Sequence, residues 1–511
     1  MTQNATLLLP VKGIDLKSPL ANMDPITSPF IANIDTDGSR LSLRPSIRQH
    51  STGLLAGVLS LGEITFSLSQ KLYAWAQGGG SGGIYDITVS GVNTLVDSPS
   101  NVPDEIFSNY YNKRLWFGTE IAATQLVYDG ASWAAAAWQF RGLIGYKSRA
   151  YFFTGDSSIY SYSLTVGGIA GTKVDVDLSS IFKKPGGIAW ITSFSQSDGI
   201  TNEIYLAIGD VNGEVLIYAG DYPGADNWRI LSKFDIGLPV GFQQVIEYQN
   251  DRLIITAAGL VSLRNLFING VNAAFSENIS EPIDAYWSAL VRAQNINIRA
   301  APSYQWSGVF WKEQNKIVIM TQGSFDENNV YYAGAATFFV LDCTSQAWTF
   351  WTWDTGLDPV YYKVNNLISF NKDLYFAIND KVMRISYNFS SLLDTSADNL
   401  DQSIVYSILG PHQSAISDAV NKKVEGFELL LKCSSSAIVQ MQCTSDFGRR
   451  VSNLMRPSIP LVTNNYYKLK FSVGAEGSFY QYKIYGQTTG SESIRPEFYS
   501  ITTLFNSGGN R

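Results

Sequence analysis

Two histidines, His50 and His412, and three cysteines, Cys343, Cys433 and Cys443, are all the imidazole and thiol groups in this chain. Metal centres and hydrolytic triads depend on such groups held close to carboxylates at short spacing. His50 sits in RQHST and His412 follows Pro411, and neither has Cys, Asp or Glu neighbours at ligand spacing. Surface or capping roles are expected for both. Three unevenly placed cysteines make neither a disulfide framework nor a zinc site. Buried thiols in strands are expected, with a 433–443 bridge as the alternative.

Paired carboxylates could hydrolyse glycosidic bonds. The candidates are Asp175/Asp177 in VDVDLSS and Glu425/Glu428 in VEGFELL. The first pair would share one face of a strand, where a solvated strand edge explains it equally well. Trp348, Trp351 and Trp353 could stack on sugars or bases, although Trp at alternate strand positions more often fills a core. Asp35-Thr36-Asp37-Gly38 has the opening of a calcium loop without its distal Glu, so a hairpin turn is expected. The glycine-rich stretch Gly78–Gly83 leads into a strand and brings no Lys, which fails the phosphate-loop pattern. Asp446-Phe447-Gly448 has none of the companions of the kinase tripeptide. The sequons at Asn4, Asn278 and Asn388 have meaning only in a secreted chain. No catalytic, cofactor or metal residue is assigned, and a protein that is not an enzyme is expected.

The elements that carry these residues are strands. In Leu143–Leu263 one strand-pair pattern is written three times, as KSRAYFFTGDSSIYSYSL, TNEIYLAIGDVNGEVLIYAG and NDRLIITAAGLVSL. Each has a polar pair, an alternating apolar run, a Gly-containing turn and a second alternating run, which is hairpin chemistry. In the middle copy Ile204, Leu206 and Ile208 are expected to share a face. The opening phrase recurs as SQKLYAWAQ, NKRLWFGTE, QNKIVIMTQ and NKDLYFAIND. Seven copies at a mean period of roughly 50 residues predict a β-propeller of six or seven blades over residues 51–387.

Residues 1–50, broken by five prolines, read as an extended arm with turns. Ser276–Ala300 is the one stretch with helical periodicity, with Ser280 or Glu281 as its cap, Pro282 in the first turn, and Ile283, Trp287, Leu290 and Val291 on the apolar face. Asn388–Val420 reads as an irregular Ser/Asp-rich linker. VEGFELLLKC, AIVQMQC, YYKLKFSV, FYQYKIYG and FYSITTLF then predict five further strands. These make residues 388–511 a small β-sandwich-like unit, with the N-terminal arm as a candidate contributor. The whole is expected to be all-β.

Composition sets outer bounds. The 511 residues carry a net charge of −7, with only 16% charged and 13% aromatic residues. An acidic chain is a poor grip for nucleic acid but a suitable wall for a conduit. So few charges leave room for large subunit contacts, since interface cores lack Lys, Glu and Asp; a surface of Ser, Thr, Asn and Gln is the alternative. The first twenty residues lack a basic stretch followed by an apolar core, so no secretory leader is expected. No run approaches the ~20 apolar residues that span a bilayer, and no membrane insertion is expected.

The passage Ser148–Leu263 resembles the tail nozzle, or tail-tube hub, protein of short-tailed bacteriophages. The matching residues are Leu178-Ser179-Ser180-Ile181-Phe182 with Gly186-Gly187, then Gly213-Glu214-Val215, Tyr218, Gly220 and Pro223, then Trp228 and Ile236-Gly237-Leu238-Pro239-Val240-Gly241. Upstream, Arg44-Pro45 is similar to an early Arg-Pro of that family, and the closing FNSGGNR is of its style. Leu238 stands where Arg is common, which puts any role of that Arg in doubt.

The resemblance implies a structural virion protein of the tail, assembled in the host cytoplasm. It would form a homohexameric ring below the adaptor and portal proteins, retaining genomic DNA and then conducting it through the lumen without sequence-specific binding. Tail fibre or spike proteins are further candidate partners, no cofactor is implied, and the loops Gly78–Gly83 and Phe325–Tyr331 are where a constriction is expected. The alternative is a propeller-type receptor- or glycan-binding tail component with depolymerising capacity, acting through Asp175 and Asp177 or the Trp348–Trp353 cluster.

Overall fold

The structure, a computed structural model, describes residues 2–506 except 21, 55–56, 67–68, 79–80, 100–105, 120–124, 185, 198–201, 277, 295–305, 327–329, 356–363, 390, 397–400, 412, 415–421, 435–436, 447–449, 453–454, 456–465, 478 and 490–493. His412, Gly79-Gly80, Phe447-Gly448 and the close after Asn506 therefore lie outside the described residues.

The chain is nearly all-β, built largely of small antiparallel sheets of four strands. Seven sheets follow one another in sequence order. They begin with the strands Gly57–Phe66, Phe107–Tyr111, Gly142–Tyr146, Ile188–Ser197, Val245–Tyr248, Ser307–Trp311 and Val364–Phe370. All seven copies of the repeated phrase fall on the second strand of a sheet, from Ser69–Gly78 to Asp373–Ile378. The polar pairs ahead of them explain why. Asn112-Lys113, Lys147-Ser148 and Asn371-Lys372 all have positive φ, between 46° and 73°. Two left-handed residues in a row make the tight hairpin turn that suits strand twist, and Asn tolerates that region better than most residues.

Each sheet packs against the next through its early strands, and the first strand of the seventh lies against Gly57–Phe66 of the first. The fifth sheet has three strands, and the seventh takes its fourth from the N-terminal region, where Ser46–Ser51 pairs with Lys381–Ser386. A strand from one end of the chain thus completes a sheet made near residue 380.

The five strands expected beyond residue 420 lie where the alternation puts them, from Lys422–Lys432 to Glu497–Asn506. They form two sheets around one core. Phe427, Leu429, Leu431, Leu469 and Phe471 enter it from one sheet, and Ile408, Val439, Met441 and Ile484 from the other. The N-terminal strands Thr2–Leu7, Ile34–Thr36 and Leu41–Leu43 join the first sheet, and Phe30–Ala32 joins the second. That core runs on into the sixth sheet through Ile317, Ile319, Phe339 and Phe350.

Several local expectations are corrected. The stretch read as an irregular linker contributes the strands Leu393–Thr395, Asp401–Ser403 and Val405–Leu409. A helix the sequence reading lacked, α1 (Leu263–Ser276), follows the fifth sheet; Gly270 (φ 79°, ψ 179°) interrupts it and breaks up its periodicity. Within the stretch expected to be helical, the described residues form a 3-10 turn at Glu281–Ile283 running into α2 (Asp284–Ala293), which together bury Ile283, Trp287 and Leu290; 295–300 lie outside the described residues. Ser280 does not cap it: its Oγ accepts the Leu260 N–H at 2.9 Å. Ile204 is exposed, whereas Leu206 and Ile208 are buried. Among the described residues no helix is long and apolar enough to cross a membrane.

Candidate functional site: a cleft beside the sixth sheet

Among the described residues, the sixth sheet and the sheet containing Val405–Leu409 are joined by one parallel bridge, Ala32 to Phe350. Beside this narrow join lies a cleft of about 930 Å³. One wall is the end of the hairpin formed by Lys316–Phe325 and Tyr331–Asp342, which presents Phe325, Asp326, Tyr331 and Tyr332. The opposite wall carries Ile404, Val405, Tyr406 and Tyr485, and Asn33, Arg44, Thr352 and Asp394 also line the cavity.

Three local features set the hairpin wall. The register shifts between Gln322 and Ser324, and Gly323 at the shift has φ 74°. A side chain there would press on the Tyr331 ring, so glycine suits both the bulge and the packing. From α2, Tyr286 reaches the wall and binds both backbone groups of Phe325: its hydroxyl accepts the N–H at 2.7 Å and donates to the carbonyl at 2.8 Å. Its ring stacks on Phe350 with centroids 4.2 Å apart. At the tip, Asp326 accepts the Val330 N–H at 2.9 Å and the Tyr332 hydroxyl at 3.3 Å. The charge of Asp326 raises the pKa of that phenol. Tyr332 remains 50% exposed, an aromatic face turned to solvent beside a carboxylate.

Below the cleft lies a buried ionic lattice joining the chain's two ends to the sixth and seventh sheets. Arg44 is 1% exposed and forms a bidentate pair with Asp394, one arm at 3.1 Å. Its other donors go to Asn33 Oδ1, the Pro45 carbonyl and the Thr352 carbonyl. Asp394 also accepts the Ile47 N–H at 2.8 Å. Nearby, Lys316 pairs with Asp35 at 3.0 Å, and Asp35 accepts the Trp351 indole N–H at 2.7 Å and the Tyr387 hydroxyl. Burial opposes the Lys316 charge, but Asp35 and Tyr387 outweigh it and leave the lysine pKa raised. Buried charges persist only when paired and hydrogen-bonded in this way.

The residues singled out from sequence lie elsewhere. Trp348, Trp351 and Trp353 are all buried and donate their indole N–H groups to Ile279, Asp35 and Thr395, so they are core rather than a stacking platform. Asp175 and Asp177 sit on the last strand of the third sheet, Lys173–Asp177. Asp175 is held ionised by hydrogen bonds from Lys173 and Ser161, and Asp177 by the Ser179 N–H. A glycosidic acid needs a raised pKa, and both are lowered. Glu428 is likewise lowered by Lys468 and Lys470.

His50, expected at the surface, is buried. Its Nε2 donates to the Ile87 carbonyl at 2.7 Å, its ring meets Tyr375 edge-on, and Nδ1 has no partner. All three cysteines are free thiols. Asp35 lies in a hairpin, as expected, but its carboxylate points into the core. Among the described residues no cluster of three or more His, Cys, Asp or Glu could hold a metal.

No family model matches this chain, and neither does any curated protein. Among solved structures it is similar to an exo-β-1,3-galactanase from Phanerochaete chrysosporium, in a structure with galactose. The identity is 9%, covering 87% of this chain and 95% of that one, with a TM-score of 0.24. With a glycan-cleaving enzyme among the similar structures, the expectation that the chain is not an enzyme is corrected, and absence of activity is not retained. At that score the likeness carries no argument for a substrate or mechanism.

Proposed function

We propose that the protein binds saccharide in the cleft beside the sixth sheet, as a glycan-binding component built on a seven-bladed β-propeller. The observation that carries this reading is the cleft wall itself. Solvent-facing Tyr332 stands next to Tyr331, Phe325 and the Asp326 carboxylate, and Tyr485 shares the lining. Aromatic faces with a few fixed polar groups are what a concave site offers a ligand that is apolar on its faces and hydroxylated at its edges. The propeller reading is supported by the seven sequence-ordered sheets, the contact of the last with the first, and the closing strand Ser46–Ser51. In this reading residues 51–387 are the propeller, and residues 388–511 with the arm 1–50 make a β-sandwich beside it. A glycan array followed by calorimetry tests the proposal: the native chain binds, Tyr332→Ala loses at least ten-fold in affinity, and sugar release is followed in the same samples. No binding to any glycan would remove it.

A second reading, the nozzle ring of a short-tailed phage, rests on the resemblance of the motif residues, of which Gly187 and Gly213 lie at close backbone approaches. A side chain on Gly187 (φ 123°) would collide with the Gly155 carbonyl, and one on Gly213 (φ 94°) with the Gly237 carbonyl. Here the chain would be a virion protein, hexameric, below an adaptor or portal and around passing DNA. Light scattering with negative-stain images tests this: a sixfold ring with a central hole supports it, and a monomer that stays single when mixed with its adaptor overturns it.

A further inference from the structure

We infer that the cleft selects neutral or amino-bearing saccharides and rejects acidic ones such as uronate, sialylated or phosphorylated glycans; this rests on the saccharide reading above. The charged groups among the described lining residues are Arg44, Asp326, Asp354 and Asp394. One cation against three carboxylates leaves the wall negative by two.

The single cation is also committed. Arg44 is 1% exposed, and its donors are spent on Asp394, Asn33, Pro45 and Thr352. Recognition of a carboxylate or phosphate needs a guanidinium or ammonium able to turn its fork to the ligand. For Arg44 that would mean leaving Asp394 as an unpaired buried charge. Among the described lining residues no cation is thus left to meet an anionic sugar, and the nearby Lys483 ammonium lies over the Tyr485 ring, 5.6 Å from its centroid.

Asp326 works in the opposite direction. It stands within hydrogen-bond reach of the exposed Tyr332 hydroxyl at the mouth. A sugar ring stacked on Tyr332 would bring its substituents to this carboxylate. There a hydroxyl or ammonium is accepted, and a second carboxylate meets like charge in a partly desolvated place. Asp354, which is exposed at the end of Ala347–Asp354, adds charge of the same sign.

The test is calorimetry of the full chain with three oligosaccharide sets matched in length: neutral hexose oligomers, glucosamine oligomers and uronate oligomers. The expected result is binding of a neutral or glucosamine set, with uronates at least ten-fold weaker at low salt and the gap narrowing as salt is raised. Asp326→Asn with Asp354→Asn should narrow the same gap at low salt, and Tyr332→Ala should weaken every set. Uronates binding as tightly as neutral oligomers would overturn the charge selection and leave the saccharide reading standing. Failure of all three sets would overturn both. A gap unchanged in the double variant would show that these carboxylates do not set the selection.

Discussion

Replacing Asp394 with asparagine should be among the most damaging single changes in this chain. It keeps the shape but removes the charge that faces Arg44, whose side chain is 1% exposed against 4% for Asp394. Arg44 would retain neutral acceptors on Asn33, Pro45 and Thr352, which offset only part of a buried charge. Breaking one side of a buried pair costs about 3–5 kcal/mol, and the surviving acceptors put this case near 3 kcal/mol. Urea unfolding followed by the fluorescence of the 12 tryptophans measures it. With a slope of about 3 kcal/mol/M, the midpoint should fall by roughly 1 M. The double replacement Arg44→Met with Asp394→Leu removes both charges and should recover part of the loss, the rest remaining because the Ile47 N–H and the Pro45 and Thr352 carbonyls lose their partners. A loss below about 1 kcal/mol for Asp394→Asn, or no recovery in the double variant, would refute the reasoning.

Other outcomes follow from the same contacts. Tyr286→Phe removes both hydrogen bonds to Phe325 and should cost about 1–3 kcal/mol, appearing as faster hydrogen exchange across Gly323–Phe325. Gly187→Ala should cost about 2 kcal/mol or more, from positive φ and the collision with Gly155, read by thermal unfolding. Burial holds the His50 pKa below 6.5. The unfolded chain then takes a proton that the folded chain refuses, so this stabilisation is whole above about pH 6.5 and declines as pH falls toward the folded value. His50→Phe should flatten that decline in unfolding measured from pH 7 to pH 5.

The strands were legible because they are written locally. Alternation gives the two faces of a strand, and pairs such as Asn371-Lys372 give the left-handed turn ahead of three of the repeats, so the second strands could be placed from residue types alone. His50 was misread because Arg48 and Gln49 beside it look solvated. Its strand closes the seventh sheet, and the partner that buries it arrives from residues 364–386. The α1 helix was hidden by Gly270. The cleft had no local signature. Its residues come from positions near 30, 44, 325, 331, 353, 394, 405 and 485, and only the pairing of both chain ends with the sixth sheet brings them together. A tyrosine pair after a hairpin loop, Tyr331-Tyr332, was the one visible hint. The tryptophans drew notice instead, yet each satisfies its indole inside the core.

Hydrogen exchange of the full chain with and without a saccharide chosen from the array tests the central claim most directly. Slowed exchange confined to Ser324–Ala335 and Gln402–Ser407 is the predicted result, with no change at Lys173–Asp177. Protection at Lys173–Asp177, or protection absent from both cleft walls while the sugar is bound, would contradict it.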